Sequence, residues 1–180
     1  MSSIVIGIGG GIAAYKMASV VSRLVQQGDQ VRVVLTHGGQ HFMGDATFAA
    51  LCGQAPVSDT YDARFPLGPH IELATDLDLL VVAPATARLL AACAHGLADD
   101  LLSTLYLNCE CPVLFAPAMS SPMWEKNAVQ RNVAQLRQDG GHFAGPESGW
   151  LSCRKSGAGR LMEPDELLKM ISTLLEAKSS

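Results

Sequence analysis

Short, almost continuously apolar runs alternate with helix-patterned stretches along this chain, and that alternation leaves few folds open to it. Residues 4–8, 31–35, 77–83 and 112–116 are runs of strand length dominated by Val, Ile, Leu and Ala. Strands that are apolar on both sides belong inside a parallel sheet with helices over both faces. The stretches between them have helical spacing. Residues 12–27 carry Ala13, Met17, Val20, Val21, Leu24 and Val25 on one side, and Gly28 stops the helix. A helical region runs through residues 48–51 to Gly53, and residues 86–95 and 99–107 read as two more helices. Residues 123–138 read as one long helix, 142–144 as a short strand and 163–177 as a closing helix. The expected fold is a Rossmann-like doubly wound parallel sheet, a three-layer α/β/α sandwich, in a single domain over residues 1–180. Residues 56–69 and the Gly- and Ser-rich residues 145–160 lack periodicity and read as loops. Loops of that length often serve as lids, and residues 145–160 are expected to be a flexible flap.

Composition narrows the function classes. Hydrophobic residues make up 48% of the chain and charged residues 17%, against about 25% charged in an average domain. Disorder is excluded by that balance. A membrane span is excluded too, because the longest apolar run, 77–84, contains Asp78 and falls far short of roughly 20 residues. The net charge is −4 and no basic cluster occurs, so nucleic acid is not an expected partner. The N-terminus has no leader pattern, which points to the cytoplasm. Five irregularly spaced cysteines argue against a disulfide framework. Cys109-Glu110-Cys111 has no second ligand pair and reads as a reduced structural pair, so no metal is expected. Two readings of the missing charge stay open: buried subunit interfaces, or an unusually buried sheet.

Ligands of doubly wound sheets bind beyond the carboxyl ends of the strands. Here those ends read Gly9-Gly10-Gly11, Thr36-His37-Gly38, Ala83-Pro84-Ala85-Thr86 and Ala116-Pro117-Ala118-Met119-Ser120. A glycine turn opening a helix presents free N–H groups to an anion. Gly9-x-Gly11-x-x-Ala14 fits the loose dinucleotide fingerprint, but Thr36 stands where a ribose-binding acid is needed. A triphosphate loop is also missing, since Lys16 lies inside the helix. The residues point to a mononucleotide or another single phosphate held by two strand ends. The alternative is a glycine turn that only packs a helix closely on the sheet.

At Ala83-Pro84-Ala85-Thr86-Ala87 and Ala116-Pro117-Ala118-Met119 the chain resembles the homo-oligomeric flavin-containing cysteine decarboxylases. Within them it is most similar to the phosphopantothenoylcysteine decarboxylase branch. The likeness runs nearly end to end. It includes Gly10-Gly11-Ile12-Ala13-Ala14-Tyr15-Lys16, His70 before Ile71-Glu72-Leu73, and Gly96-Leu97-Ala98-Asp99-Asp100-Leu101-Leu102. It continues through Pro117-Ala118-Met119-x-x-x-Met123-Trp124, Gly149-x-Leu151-x-Cys153 and Gly157-x-Gly159-Arg160-x-x-Glu163-Pro164. The resemblance implies a flavodoxin-like strand arrangement, FMN as cofactor, and a homo-oligomer with FMN at the subunit interface. That assembly would be a trimer or a dodecamer built of trimers. The implied reaction is decarboxylation of 4′-phospho-N-pantothenoylcysteine to 4′-phosphopantetheine in coenzyme A biosynthesis. It proceeds by thiol oxidation, CO2 loss and re-reduction of the enethiolate. A companion ligase is expected on a separate chain.

The resemblance also implies roles. His70 matches the family's active-site histidine, and Cys153 the cysteine that helps reduce the enethiolate. Gly9, Gly10, Gly11, Thr36, Ala83, Ala85, Thr86 and Met119 are expected to bind the cofactor. Ser120, Met123 and Arg160 are expected to face the substrate, Arg160 by its charge alone. His37, His41, His95 and His142 read as structural. Three departures stand out. Ser120 replaces the usual Asn after Pro-Ala-Met, and serine offers one donor where the amide offers two. Arg88 replaces another Asn, and Arg154 follows the flap cysteine in place of glycine. Ser120 motivates a second reading, a decarboxylase of another cysteine-containing substrate. The further alternatives are a non-catalytic FMN-binding regulator, against which His70 and Cys153 argue, and a prenyl-flavin synthase-like relative, against which the cysteine flap argues.

Overall fold

A computed structural model describes residues 1–178. Five parallel strands form the central sheet: β1 (Ser3–Ile8), β2 (Gln30–Leu35), β3 (Leu79–Ala85), β4 (Val113–Pro117) and β5 (His142–Phe143). Their order is β2-β1-β3-β4-β5, the flavodoxin-like order, which reverses direction between β1 and β3. Alternate residues of each strand feed two cores, as the pleat requires. Ile4, Ile6 and Ile8 pack with α1 (Tyr15–Gln26), α3 (Asp45–Cys52) and α9 (Pro164–Lys178) on one face. Val5, Leu80 and Val82 pack on the other face with α4 (Pro69–Ala74), α5 (Ala87–Ala94), α6 (Leu101–Asn108) and α8 (Asn127–Gln138). Every residue of β3 is buried, so the charge deficit is explained in part by a sheet covered on both sides. Among the described residues no helix is long and apolar enough to cross a membrane.

The sandwich is the one expected, with four corrections in detail. Residues 12–27 do not form one continuous α-helix. Ile12–Ala14 is a 3-10 turn, and α1 starts at Tyr15. Residues 123–138 are two helices, α7 (Ser121–Trp124) and α8. Lys126 is extended between them, and the Gln130 side-chain amide donates to the Trp124 carbonyl at 2.6 Å. The buried positions Val129, Val133 and Leu136 keep helical spacing, and Met123 and Trp124 belong to the separate turn before them. Residues 145–160 are not a structureless loop. They contain an antiparallel hairpin of β6 (Glu147–Trp150) and β7 (Ser156–Arg160), outside the main sheet. Its Gly- and Ser-rich strands lack the apolar alternation that reveals a strand in sequence. Strand β3 also starts two residues later than expected and runs on through Pro84 to Ala85.

Candidate active site

The reversal of strand order opens a crevice at the carboxyl ends of β1, β3 and β4, and there the chain forms a cavity of about 650 Å³. That size suits a cofactor-scale ligand. Gly10 and Gly11 line it just before the 3-10 turn that leads into α1, and Lys16 lines it from the first turn of α1. Thr86 caps α5, accepting from the Leu89 N–H at 3.3 Å, and lines the cavity beside Met119, Ser120 and Met123. The hairpin closes the opposite side with Trp150, Cys153 and Arg160.

The glycine turn is built for close approach. A Cβ on Gly9 would stand 2.3 Å from the Pro84 carbonyl oxygen, and one on Gly10 would stand 2.7 Å from the Gly38 Cα. The loop therefore lies directly on the end of β3 and on the short helical turn, residues 37–40, that follows β2. Among the described residues, the Gly10 and Gly11 N–H groups donate to no other protein group. Free N–H donors at a helix start suit an anion, and the apolar walls beyond them suit a flat ring. The residues present therefore fit a phosphate-bearing aromatic cofactor.

Eight of the expected site residues share this cavity: Gly10, Gly11, Thr86, Met119, Ser120, Met123, Cys153 and Arg160. Gly9, Ala83 and Ala85 are buried in the strand ends beneath it. Thr36 lies elsewhere. Its hydroxyl donates to the Ile8 carbonyl at 3.0 Å and accepts from the Gly39 N–H at 3.0 Å. That single proton is committed, so Thr36 ties β2 to β1 and caps the short α2 (His37–Gln40). It lines a second, smaller cavity of about 220 Å³ with His37, Asp59 and Asp100.

His70 does not line the main cavity. It sits in the first turn of α4, half-buried, and its carbonyl accepts from the Asn108 amide at 3.3 Å. Its Nδ1 is buried with no hydrogen-bond partner among the described residues. Leu67 and Ile71 beside it are exposed, at 70% and 41%.

Arg160 is not a free cation. Its guanidinium meets Glu147 at 2.8 Å and Glu163 at 3.3 Å, and Glu163 also pairs with Lys16 at 2.9 Å. The Lys16 bond holds the Glu163 carboxyl below the usual range, with Lys16 and Arg160 charges adding to it. In sequence, Lys16 reads only as a helix residue and Glu163 only as part of a motif. Their spacing from the glycine turn and from Arg160 is the signal that could have found them.

Cys153 is the exposed cysteine among the described residues. Cys93 is buried, and its thiol is pushed up to about 12 by desolvation. Ser120 precedes α7 without capping it, and its hydroxyl makes no hydrogen bond among the described residues.

Comparisons with known proteins agree with this geometry. The chain is 47% identical over 173 residues to the coenzyme A biosynthesis bifunctional protein CoaBC of Mycobacterium tuberculosis (strain ATCC 25618 / H37Rv), covering 96% of this chain and 41% of that protein. This chain thus spans about two fifths of the length of the curated relatives it matches. Among solved structures, the FMN-dependent cysteine decarboxylase SpaF superposes with a TM-score of 0.85 at 34% identity, covering 100% of this chain and 98% of that one. A PPC decarboxylase mutant complexed with pantothenoylaminoethenethiol superposes with a TM-score of 0.87 at 26% identity, covering 97% and 98%. The flavoprotein family model matches residues 1–176, and the chain belongs to the flavoprotein family.

Proposed function

We propose that this chain is an FMN-dependent decarboxylase that converts 4′-phospho-N-pantothenoylcysteine to 4′-phosphopantetheine. It would act in the cytoplasm as a homo-oligomer, a trimer or a dodecamer. The observation that carries the reading is one cavity shared by the free N–H groups of the glycine turn, the uncommitted Ser120 hydroxyl and the exposed Cys153. The names of the relatives, in coenzyme A biosynthesis and cysteine decarboxylation, supply the substrate class.

Gly10 and Gly11 hold the cofactor phosphate through their N–H groups, and Thr86 and Met119 wall the ring. Gly9, Ala83, Ala85 and Thr36 serve the cofactor from beneath, by fixing the strand ends on which that turn rests. Bound FMN supplies a reversible acceptor for the hydride released when the substrate thiol is oxidised. The chain's own residues do the rest. Ser120 donates its proton to the substrate carboxylate until CO2 leaves, and Met123 gives that end an apolar wall. Cys153 delivers a proton to the enethiolate. Residues 145–160 act as the flap, keeping water from the oxidised thiol.

His70 completes the site from a neighbouring copy of the chain. Its distance from the cavity of its own chain supports this, as do the exposed Leu67 and Ile71 beside it and the exposed Ile12, Tyr15, Met123 and Trp150 around the cavity mouth. Apolar surface of this kind marks an interface. His70→Asn is expected to retain FMN while turnover falls by roughly 10²-fold or more, as for other acid–base groups. An equal mixture of His70→Asn and Cys153→Ser chains, co-expressed, should recover about one quarter of the sites, because each site draws the two residues from different copies of a symmetric oligomer. No recovery would place both residues in one chain.

Ser120 favours a second reading, a related cysteine-containing substrate. Ser120→Asn separates the two. If the Ser120 hydroxyl is the group that serves this substrate, steady-state turnover of 4′-phospho-N-pantothenoylcysteine should fall or hold. A rise of roughly tenfold, the worth of one charge-assisted hydrogen bond, would mean that serine serves a different substrate.

A further inference from the structure

We propose that Glu163 is a positioning residue that latches the β6–β7 hairpin, and Cys153 with it, against the cavity. The inference rests on the reading of that cavity as the active site. Leu151 is the one buried apolar side chain from 147 to 160, and it belongs to neither hydrophobic core cluster, so apolar burial gives the hairpin only a small anchor. Two other things hold it.

The first is backbone fit. The Met119 N–H donates to the Gly159 carbonyl at 2.9 Å. Gly159 has φ +125°, and a Cβ there would stand 2.2 Å from the Met119 carbonyl oxygen. Strand β7 thus lies directly on the loop that carries Ser120. The second is a ladder of four charges. Glu147 on β6 pairs with Arg160 at the end of β7, Arg160 pairs with Glu163, and Glu163 pairs with Lys16 in the first turn of α1. Lys16 also donates to the Leu161 carbonyl at 3.5 Å. Among the described residues, Glu163 is the ion-pair rung that joins the hairpin's own Glu147–Arg160 pair to α1.

The chemistry suits a flap. Partly exposed ion pairs hold weakly, and an element that must open for substrate is drawn from the weakly held parts of a fold. The ladder also keeps Lys16 and Arg160 neutralised inside the cavity. Arg154 and Lys155, at the hairpin tip, are exposed and make no ion pair among the described residues, so a protease that cleaves after basic residues can report on the hairpin.

The test uses the FMN-loaded full chain and three variants, Glu163→Gln, Lys16→Met and Lys16→Arg. Limited trypsin digestion mapped by mass spectrometry should show cleavage after Arg154 and Lys155 rising at least about fivefold in the first two, since such cleavage tracks the open population. Cleavage elsewhere and the amount of bound FMN should stay at the parent's values. KM for the phosphopantothenoyl substrate should rise more than kcat falls, and Lys16→Arg should restore both readouts. Unchanged tip cleavage in Glu163→Gln and Lys16→Met would overturn the latch, and so would faster cleavage along the whole chain. A parent protein without decarboxylase turnover would instead sink the functional reading, and the digestion would still decide the latch.

Discussion

Replacing Cys153 by serine is expected to halt the reaction at its oxidised product. The enethiolate left after CO2 loss becomes the aminothiol only by gaining a hydride, which reduced FMN would return, together with a proton. Cys153 is the exposed thiol at the cavity, on the tip of a hairpin whose turn is closed by the Leu151 N–H donating to the Lys155 carbonyl at 2.9 Å. A serine hydroxyl keeps the shape and loses the acidity. Formation of 4′-phosphopantetheine should therefore drop by about 10²–10⁴-fold, the range for a lost general acid. First-turnover CO2 release should persist. Mass spectrometry of the product should find a species lighter than the aminothiol by two hydrogens. Normal aminothiol formation by the variant would remove Cys153 from the proton path. Cys93 is no substitute, because burial pushes its thiol up to about 12.

The second large effect is structural. Gly9→Ala puts a methyl group 2.3 Å from the Pro84 carbonyl oxygen and 2.7 Å from Leu89 Cδ1. The first of these neighbours is backbone of the fully buried β3 and cannot turn aside. The loop or the strand must shift, at a cost of about 3 kcal/mol, the upper range for overpacking a core. In a domain of this size that lowers Tm by about 6–12 °C. The displaced loop is the one whose Gly10 and Gly11 N–H groups face the cavity, so FMN should be lost as well. Thermal melting and the absorbance of the purified variant check both. A Tm within about a degree of the parent's, with FMN retained, would show that the loop has slack that the Gly9–Pro84 contact denies, since even small surface effects stay near that level.

How much of this was legible in the sequence follows from which forces left a pattern. The five-stranded sandwich was legible because buried parallel strands are apolar on both faces, as the wholly buried β3 is. The glycine turn and the Ala-Pro-Ala ends were legible as strand–helix junctions, and eight of the expected site residues do meet at one cavity. The strand order came with the family resemblance, since periodicity says nothing about which strands are neighbours.

The hairpin was not legible. Its strands pack on no core and need no apolar alternation, so a paired element looked like a loop. Nor could composition distinguish a free arginine from a paired one. Arg160 was expected to meet substrate, and Glu147 and Glu163 occupy it instead. The Thr36 hydroxyl is committed in a similar way: its proton goes to the Ile8 carbonyl, and the residue lines the smaller cavity. His70 stands outside its own chain's cavity, and residue spacing in one sequence carries no information on which copy of a chain a side chain faces. The charge deficit reads accordingly, part of it from a doubly covered sheet and the rest from apolar surface at the cavity mouth and beside His70.

The most direct test of the whole account is an absorbance scan of the purified protein with a CO2-release assay on 4′-phospho-N-pantothenoylcysteine. The expected result is a yellow protein with the visible bands of an oxidised flavin, about one FMN for each chain as one cofactor site per chain requires, and CO2 released with 4′-phosphopantetheine formed. A colourless protein that takes up no added FMN, and releases no CO2 in its presence, would contradict it.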